Sequence, residues 1–267
     1  MKNSTRAWMG ALTLISMTLS LTHEADAQRT GGGVKNVVLV HGTWADGSSW
    51  AKIIPLLEAQ GLHVIAVQNP LTSLGDDVAA TKRAIALQDG PVLLVGHSWG
   101  GVVVTEAGND PNVKGLVYVA AAVPDEGQSF LELVQTAPAT PGNDEIRPDA
   151  YGFVSMTRKG IYEDFAQDLP EAERELILVT QGPQAFSALQ EKVTHAAWKT
   201  RPSWYVVAGN DRMINPDLER SLAKKIGATT LELNTSHVPM LSQPERVAAF
   251  IAEAARQVDV HEYAQEK

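Results

Sequence analysis

The alternation of short apolar runs with amphipathic segments is the feature that most constrains the fold of this chain. Four apolar runs of strand length alternate with segments of helical spacing, and the alternation resumes after residue 200. Parallel strands need a crossover connection, usually a helix, so this rhythm predicts a parallel sheet covered by helices. The predicted strands are 34–40, 62–67, 92–96, 114–121, 203–208 and 229–233. The predicted fold class is therefore α/β, with a mostly parallel, doubly wound sheet of about six strands.

The alternation is interrupted between residues 124 and 200. This stretch has helical and irregular character, shows no clear strand pattern, and is punctuated by Pro138, Pro141 and Pro148. Proline ends helices and central strands, which favours short elements separated by loops. We therefore predict a helical, loop-rich insertion here.

The N-terminal segment predicts a secretory signal peptide. After a short basic start, residues 7–21 form an uncharged and mostly apolar run, and residues 25–27 read Ala-Asp-Ala. The alternative is a membrane anchor, but a spanning helix needs roughly 20 apolar residues. We expect cleavage of residues 1–27, a mature domain at 28–267, a periplasmic or secreted protein and no stable membrane anchor.

Composition excludes several classes of function. The net charge is −9, from 22 lysines and arginines against 31 aspartates and glutamates, and there is no cysteine. An acidic surface repels phosphate backbones, so we expect no nucleic-acid partner. The lack of cysteine excludes disulfides, thiolate metal sites and a cysteine nucleophile. We expect a monomer or a homodimer.

Ser98 is the candidate nucleophile because it lies in the pattern Gly96-His97-Ser98-Trp99-Gly100. A buried strand precedes this pattern and an apolar helix follows it. Such a strand-to-helix turn forces the serine into a sharp elbow that only small residues can flank closely. The elbow also puts the Trp99 N–H at a helix N-terminus, where it stabilises a developing oxyanion. The alternative interpretation is an ordinary tight turn with a helix-capping serine.

His237 is the candidate base for Ser98, since a serine hydroxyl needs a base to become a good nucleophile. It lies between the last predicted strand and the last helix, at the edge of the sheet where Ser98 is expected. The other histidines lie in terminal segments, at a strand start, in glycine-containing turns or in the insertion: His23, His261, His63, His41, His97 and His195. Turn histidines such as His41 and His97 usually order the local backbone.

Asp211 is the candidate acid that orients His237. It follows the strand at 203–208, and the chain order Ser98, Asp211, His237 is that of one particular hydrolytic fold. The competing acid is Asp125, just after the fourth strand, and a plain turn residue is the alternative role for Asp211.

The loop after the first strand is expected to supply the second oxyanion donor. Its sequence is His41-Gly42-Thr43-Trp44, and Gly42 permits a close approach of the backbone. We predict that the Thr43 N–H is this donor, with Trp44 as the alternative.

Three segments together resemble the α/β-hydrolase superfamily. They are HGTWADGSSW at 41–50, GHSWGG at 96–101 and SHVPMLSQPERV at 236–247. More narrowly, they are similar to the small esterases of the plant methylesterase and hydroxynitrile lyase branch and its bacterial relatives. The resemblance implies a cap formed by residues 124–200 over the serine, and no cofactor. We predict no metal site.

Departures from the family pattern narrow this resemblance. Hydroxynitrile lyases of the branch carry a lysine after the catalytic histidine, where this chain has Val238, so cyanohydrin cleavage is not expected. Dehalogenases and epoxide hydrolases carry an aspartate at the position of Ser98. Met240 resembles a pocket-floor position, and we also predict that Trp44 and Trp198 bind substrate.

The sequence therefore predicts a serine esterase that hydrolyses small to medium apolar carboxylic esters through an acyl-enzyme. Its expected partner is a small-molecule ester. A lactonase, an amidase, a C–C hydrolase or a haloperoxidase-like enzyme would share the same residues. A ligand-binding homologue without turnover is the alternative from a different class.

Overall fold

The computed structural model describes residues 33–258, so the predicted signal peptide and the polar tail lie outside the described residues. Strands are labelled in chain order. They are β1 (Asn36–Val40), β2 (His63–Ala66), β3 (Val92–His97), β4 (Val113–Val119), β5 (Ile146–Pro148), β6 (Phe153–Met156), β7 (Gln184–Ala185), β8 (Ser203–Ala208) and β9 (Thr229–Leu233).

The central sheet has six parallel strands in the order β2-β1-β3-β4-β8-β9. The fold class and all six predicted strands are confirmed, and the strand boundaries differ from the prediction by at most two residues. All residues of β1 and β3 are buried, as expected of aliphatic, β-branched strands covered on both faces. The strand order reverses between β1 and β3, and in such sheets this switch point opens a crevice at the carboxyl ends of the strands.

Helices cover both faces of the sheet and fill the connections. In chain order they are α1 (Ile54–Glu58), α2 (Leu74–Ala86), α3 (Gly100–Ala107), α4 (Phe130–Val134), α5 (Arg158–Gly160), α6 (Glu171–Thr180), α7 (Pro216–Lys225), α8 (Pro239–Ser242) and α9 (Pro244–Gln257). None of the helices in residues 33–258 combines the length and the hydropathy needed to span a bilayer.

Local chemistry explains where these helices begin. Ser73 caps α2 by accepting the Asp76 N–H at 2.9 Å. The helical spacing of apolar residues at 48–60 predicts one helix, but the structure has a 3₁₀ turn at Gly47–Trp50 followed by α1. Pro55 lies in the first turn of α1, and its ring would clash with the carbonyl four residues earlier in one continuous helix.

The insertion at 124–200 carries α4, α5, a π-helical turn at Ile161–Phe165, and α6. It also holds a small antiparallel sheet in the order β5-β6-β7, so the prediction of an insertion without strands is wrong. These strands have 3, 4 and 2 residues, too few to display an alternating pattern. Pro148 is tolerated because β5 lies at an edge of this sheet.

Candidate active site

The turn between β3 and α3 holds Ser98 in a strained conformation. Its φ is +54°, in the left-handed region that non-glycine residues rarely adopt. A Cβ at Gly96 would lie 2.5 Å from the Gly100 carbonyl oxygen, and one at Gly100 would lie 2.4 Å from the Val40 carbonyl oxygen. The turn therefore closes only with glycine at both positions, and it leaves Ser98 3% exposed at the crevice.

Asp211 and His237 are brought together by the loops after β8 and β9. His237 Nδ1 lies 2.5 Å from Asp211 Oδ2, and both side chains are buried. Asp211 Oδ1 also accepts the N–H groups of Met213 at 2.6 Å and Ile214 at 3.0 Å. An ionised carboxylate only accepts hydrogen bonds, so Nδ1 of His237 carries the proton. The lone pair of its Nε2 is then available to act as a base.

His97 links the serine turn to the His237 loop. Its Nε2 lies 2.8 Å from the backbone carbonyl oxygen of His237, and the two ring centroids are 4.8 Å apart. A carbonyl only accepts, so Nε2 of His97 is the donor. Burial, and secondarily the neighbouring His237, lowers the pKa of His97 well below its usual value. The sequence predicted a role in ordering local backbone; this contact instead spans 140 residues.

The loop after β1 lies directly beside Ser98. A Cβ at Gly42 would lie 2.7 Å from Ser98 Cβ, so the backbone that leads into Thr43 passes the serine at close range. Trp44 follows with a φ of +55°, which turns the loop sharply. Trp99 is the N-cap residue of α3. The two predicted oxyanion donors, the N–H groups of Thr43 and Trp99, thus belong to segments on either side of Ser98.

His41 holds this loop in place. The N–H of Asn69 donates to His41 Nε2 at 2.9 Å, so Nδ1 carries the proton and donates to the Gly42 carbonyl at 2.8 Å. The Asn69 side-chain amide also donates to the His41 carbonyl at 2.9 Å. Burial lowers the pKa of His41, which keeps the imidazole neutral. Its predicted local role agrees with these contacts.

The Trp99 side chain is anchored to α2. Its Nε1–H donates to Asp77 Oδ2 at 2.7 Å, and Asp77 Oδ1 accepts the Leu71 N–H at 2.8 Å. Burial raises the pKa of Asp77 to about 6. Asp77 is one of two acids in the first turn of α2, and nothing in the neighbouring sequence signals this contact with Trp99.

A cavity of about 340 Å³ opens between the Trp44 loop, α6 and α8. Its lining is mostly apolar and includes Trp44, Phe165, Ile177 and Val238. The Phe165 ring meets the His237 ring edge to face, with centroids 5.2 Å apart, so the cavity adjoins the Asp211–His237 pair. Of the three residues predicted to bind substrate, Trp44 lines this cavity.

Trp198 and Met240 do not line that cavity. Trp198 donates its Nε1–H to the Pro124 carbonyl at 2.9 Å, and the ammonium groups of Lys199 and Lys225 lie over its ring. Met240 is fully buried in the core. Both residues therefore make packing contacts in this structure.

The competing acid Asp125 is engaged elsewhere. Its carboxylate pairs with Lys199 at 2.8 Å and Lys225 at 3.1 Å. Lys199, the larger influence, and Lys225 lower the pKa of Asp125 to about 2. The carboxylate in contact with His237 is that of Asp211.

In residues 33–258, no group of three or more His, Asp or Glu side chains has an arrangement that could hold a metal ion.

Comparison with known proteins identifies the family of this chain. The chain matches the alpha/beta hydrolase family over residues 37–250. It is 27% identical to the pyrethroid hydrolase of Sphingobium wenxiniae over 256 residues, which covers 83% of this chain and 88% of that protein. It is 27% identical to salicylic acid-binding protein 2 of Nicotiana tabacum over 255 residues, which covers 83% and 97%.

The solved structures point to the same fold. The crystal structure of a pyrethroid hydrolase from Sphingobium faniae superposes with a TM-score of 0.71 and 22% identity, covering 84% of this chain and 98% of that one. Methylesterases of Arabidopsis thaliana are also among the relatives in sequence. The chain therefore belongs to the alpha/beta hydrolase family, as a hydrolase whose relatives include esterases.

Proposed function

We propose that this protein is a serine carboxylesterase with Ser98 as nucleophile, His237 as base and Asp211 as the residue that orients His237. The observation that carries the proposal is the buried 2.5 Å contact between His237 and Asp211, at the edge of the sheet where the left-handed turn presents Ser98. A serine in such a turn, a histidine with a free Nε2 and a buried acid are what acyl transfer requires.

The reaction proceeds in two halves. Ser98 Oγ attacks the ester carbonyl carbon while its proton passes to His237 Nε2. The N–H groups of Thr43 and Trp99 stabilise the oxyanion of the tetrahedral intermediate. The intermediate collapses, the protonated His237 gives its proton to the departing alkoxide, and an acyl-Ser98 ester remains. Water, deprotonated by His237, then attacks the acyl-enzyme carbonyl to form a second tetrahedral intermediate. This intermediate collapses, His237 returns the proton to Ser98 Oγ, and the carboxylic acid is released.

The substrates are small to medium apolar esters. The cavity beside His237 is lined mainly by apolar side chains, among them Trp44, Phe165 and Ile177. Burial of an acyl or alcohol group there removes apolar surface from water, at about 25 cal/mol per Å². Its volume of about 340 Å³ lies within the range of small-molecule sites.

Hydrolysis of a p-nitrophenyl ester series from acetate to dodecanoate tests the proposal. The wild-type protein should turn over these esters, and a fluorophosphonate should abolish turnover and label Ser98. Ser98→Ala should lose both ester turnover and fluorophosphonate labelling, and its thermal unfolding midpoint should equal that of the wild type. Full activity in Ser98→Ala would refute the assignment. Labelling without ester turnover would redirect the search to lactones, amides and C–C bonds. The absence of both turnover and labelling would favour a binding protein.

We also propose that residues 1–27 direct export and are removed. The basic start, the apolar run at 7–21 and the Ala-Asp-Ala at 25–27 support this. Cell fractionation and N-terminal sequencing should find a periplasmic or secreted chain that begins at Gln28. Size-exclusion chromatography with light scattering should find a monomer or a homodimer.

A further inference from the structure

A second carboxyl group is buried next to Asp211. Glu219 lies on α7 and is fully buried. Its Oε2 accepts the backbone N–H of Ala208, the last residue of β8, at 3.0 Å. Asp211 is bonded to the same residue, because its backbone N–H donates to the Ala208 carbonyl at 3.1 Å, and the carboxyl groups of Glu219 and Asp211 are neighbours. Two buried carboxyl groups therefore meet inside the protein.

Such a contact requires a proton, because two ionised carboxylates can only accept hydrogen bonds. Asp211 receives three N–H groups, from Met213, Ile214 and His237, and each of them stabilises its anion. Glu219 receives one, at Oε2, and its buried Oε1 receives no hydrogen bond from any donor among residues 33–258. The proton therefore resides on Glu219 Oε1.

The groups around Glu219 agree with a neutral acid. Burial, and then the charge of Asp211, raises the pKa of Glu219 well above its ordinary value. The Tyr205 hydroxyl donates to the Ala121 carbonyl, and burial raises the pKa of Tyr205, so it remains neutral. The Arg220 guanidinium is held by Asp217 and Glu232 at the surface. No cation bonded to Glu219 is found among the described residues.

We propose that Glu219 is a protonated positioning residue, whose Oε1–H donates a hydrogen bond to the Asp211 carboxylate and holds it against His237. This inference rests on the proposed function for its catalytic consequence. A neutral acid can hold Asp211 by a hydrogen bond without adding a second negative charge. An ionised Glu219 would further stabilise the protonated His237. Transfer of the His237 proton to the leaving group would then be slower.

Two variants of Glu219 test whether its side chain acts as a hydrogen-bond donor or only occupies volume. Glu219→Gln keeps an acceptor for the Ala208 N–H and an amide donor for Asp211, so kcat should stay at the wild-type level. Glu219→Met keeps much of the volume and removes the donor, and we expect kcat to fall about tenfold with KM unchanged. Equal loss of kcat in both variants, or wild-type kcat in Glu219→Met, would overturn the proposal.

The pH dependence of kcat/KM is a measurement that a change in packing alone would not alter. Without the donor, Asp211 keeps more of its negative charge for His237 and stabilises the imidazolium. The acid limb of the kcat/KM profile should therefore move to higher pH in Glu219→Met and stay in place in Glu219→Gln. An acid limb that is identical in Glu219→Met and the wild type would count against the proposed hydrogen bond.

Infrared spectroscopy tests the protonation state without turnover. The difference spectrum between the wild type and Glu219→Gln at neutral pH should contain the C=O stretch of a carboxylic acid. The matched control is Glu253→Gln, an exposed glutamate paired with Arg256, which should lose only carboxylate bands. Absence of the acid band would show that Glu219 is ionised, and the inference would then fail even if Glu219→Met does not fold.

These readouts distinguish failure of this inference from failure of the proposed function. An acid band in a protein that hydrolyses no ester would retain the protonated Glu219 and reject the esterase. Ester hydrolysis that depends on Ser98, in a protein without the acid band, would do the reverse.

Discussion

The Nε2–H of His97 donates a hydrogen bond of 2.8 Å to the backbone carbonyl of His237. One end of this bond lies beside the candidate nucleophile, and the other lies on the candidate base itself. The Trp50 and Phe165 rings meet the His97 ring edge to face, with centroids 6.4 and 6.5 Å away. The two loops are therefore positioned relative to each other by a neutral, enclosed imidazole.

Replacement of His97 by phenylalanine should uncouple these loops. The ring volume is largely kept, but the His237 carbonyl loses its donor, and an unsatisfied buried acceptor costs about 1–3 kcal/mol. We expect a lower free energy of unfolding in urea and a drop in kcat that exceeds the change in KM. His97→Gln, which can donate from its amide, is the control and should be less affected. Equal kcat in His97→Phe and the wild type would contradict this role.

Addition of a methyl group at Gly100 should distort the serine turn. A Cβ there would lie 2.4 Å from the Val40 carbonyl oxygen and 2.8 Å from that of His41. Both are backbone atoms, so Gly100→Ala should destabilise the fold by about 1–3 kcal/mol and reduce labelling of Ser98 by a fluorophosphonate.

The matched control for Gly100→Ala is Gly75→Ala in α2. The nearest atom to a Cβ at Gly75 is 3.8 Å away, and alanine in a helix is up to about 1 kcal/mol more stable than glycine. Thermal unfolding of the two variants should therefore shift in opposite directions. A stable and fully labelled Gly100→Ala would show that the turn has more room than the structure indicates.

Asp77 should make stability depend on pH. Burial raises its pKa in the folded protein from 3.8 to about 6. Between these values the folded state binds more protons than the unfolded state, so the free energy of unfolding falls as the pH rises. The contribution is fully present below about pH 4 and is lost as the pH passes 6, and it amounts to about 3 kcal/mol.

Urea unfolding at several pH values between 4 and 7 checks the Asp77 prediction. The wild-type curve should contain this slope, while Asp77→Asn should be less stable overall and lack it. The reduced stability follows because asparagine has one acceptor for the Trp99 and Leu71 N–H groups. Parallel stability curves for the two proteins would rule out Asp77 as the titrating group.

A tryptophan at Ile177 should shorten the range of accepted esters. Ile177 lines the cavity on α6, and a larger side chain would occupy much of its apolar space. We expect kcat/KM for decanoate and dodecanoate esters to fall about tenfold or more relative to acetate. Val179→Trp is the control, since Val179 lies on the same helix but is 69% exposed and does not line the cavity. An equal fall in kcat/KM for all chain lengths would show that the acyl chain does not bind in this cavity.

Local patterns in the sequence determined the architecture and the identity of the candidate triad. Buried strands such as β3 are continuous aliphatic runs. The turn around Ser98 is predicted by the glycines at 96 and 100. The chain order of Ser98, Asp211 and His237 followed from the strands that precede them. These features are local because each depends on residues adjacent in the chain.

Only the tertiary structure decided which distant groups support the candidate site. Asp77 is bonded to Trp99, 22 residues away, and His97 is bonded to the carbonyl 140 residues away. Glu219 appears in the sequence as an ordinary acidic residue of an amphipathic helix, yet it is fully buried. Burial and hydrogen-bond partners are properties of packing between elements, so the protonation states and positioning roles of these side chains depend on contacts that no local pattern specifies.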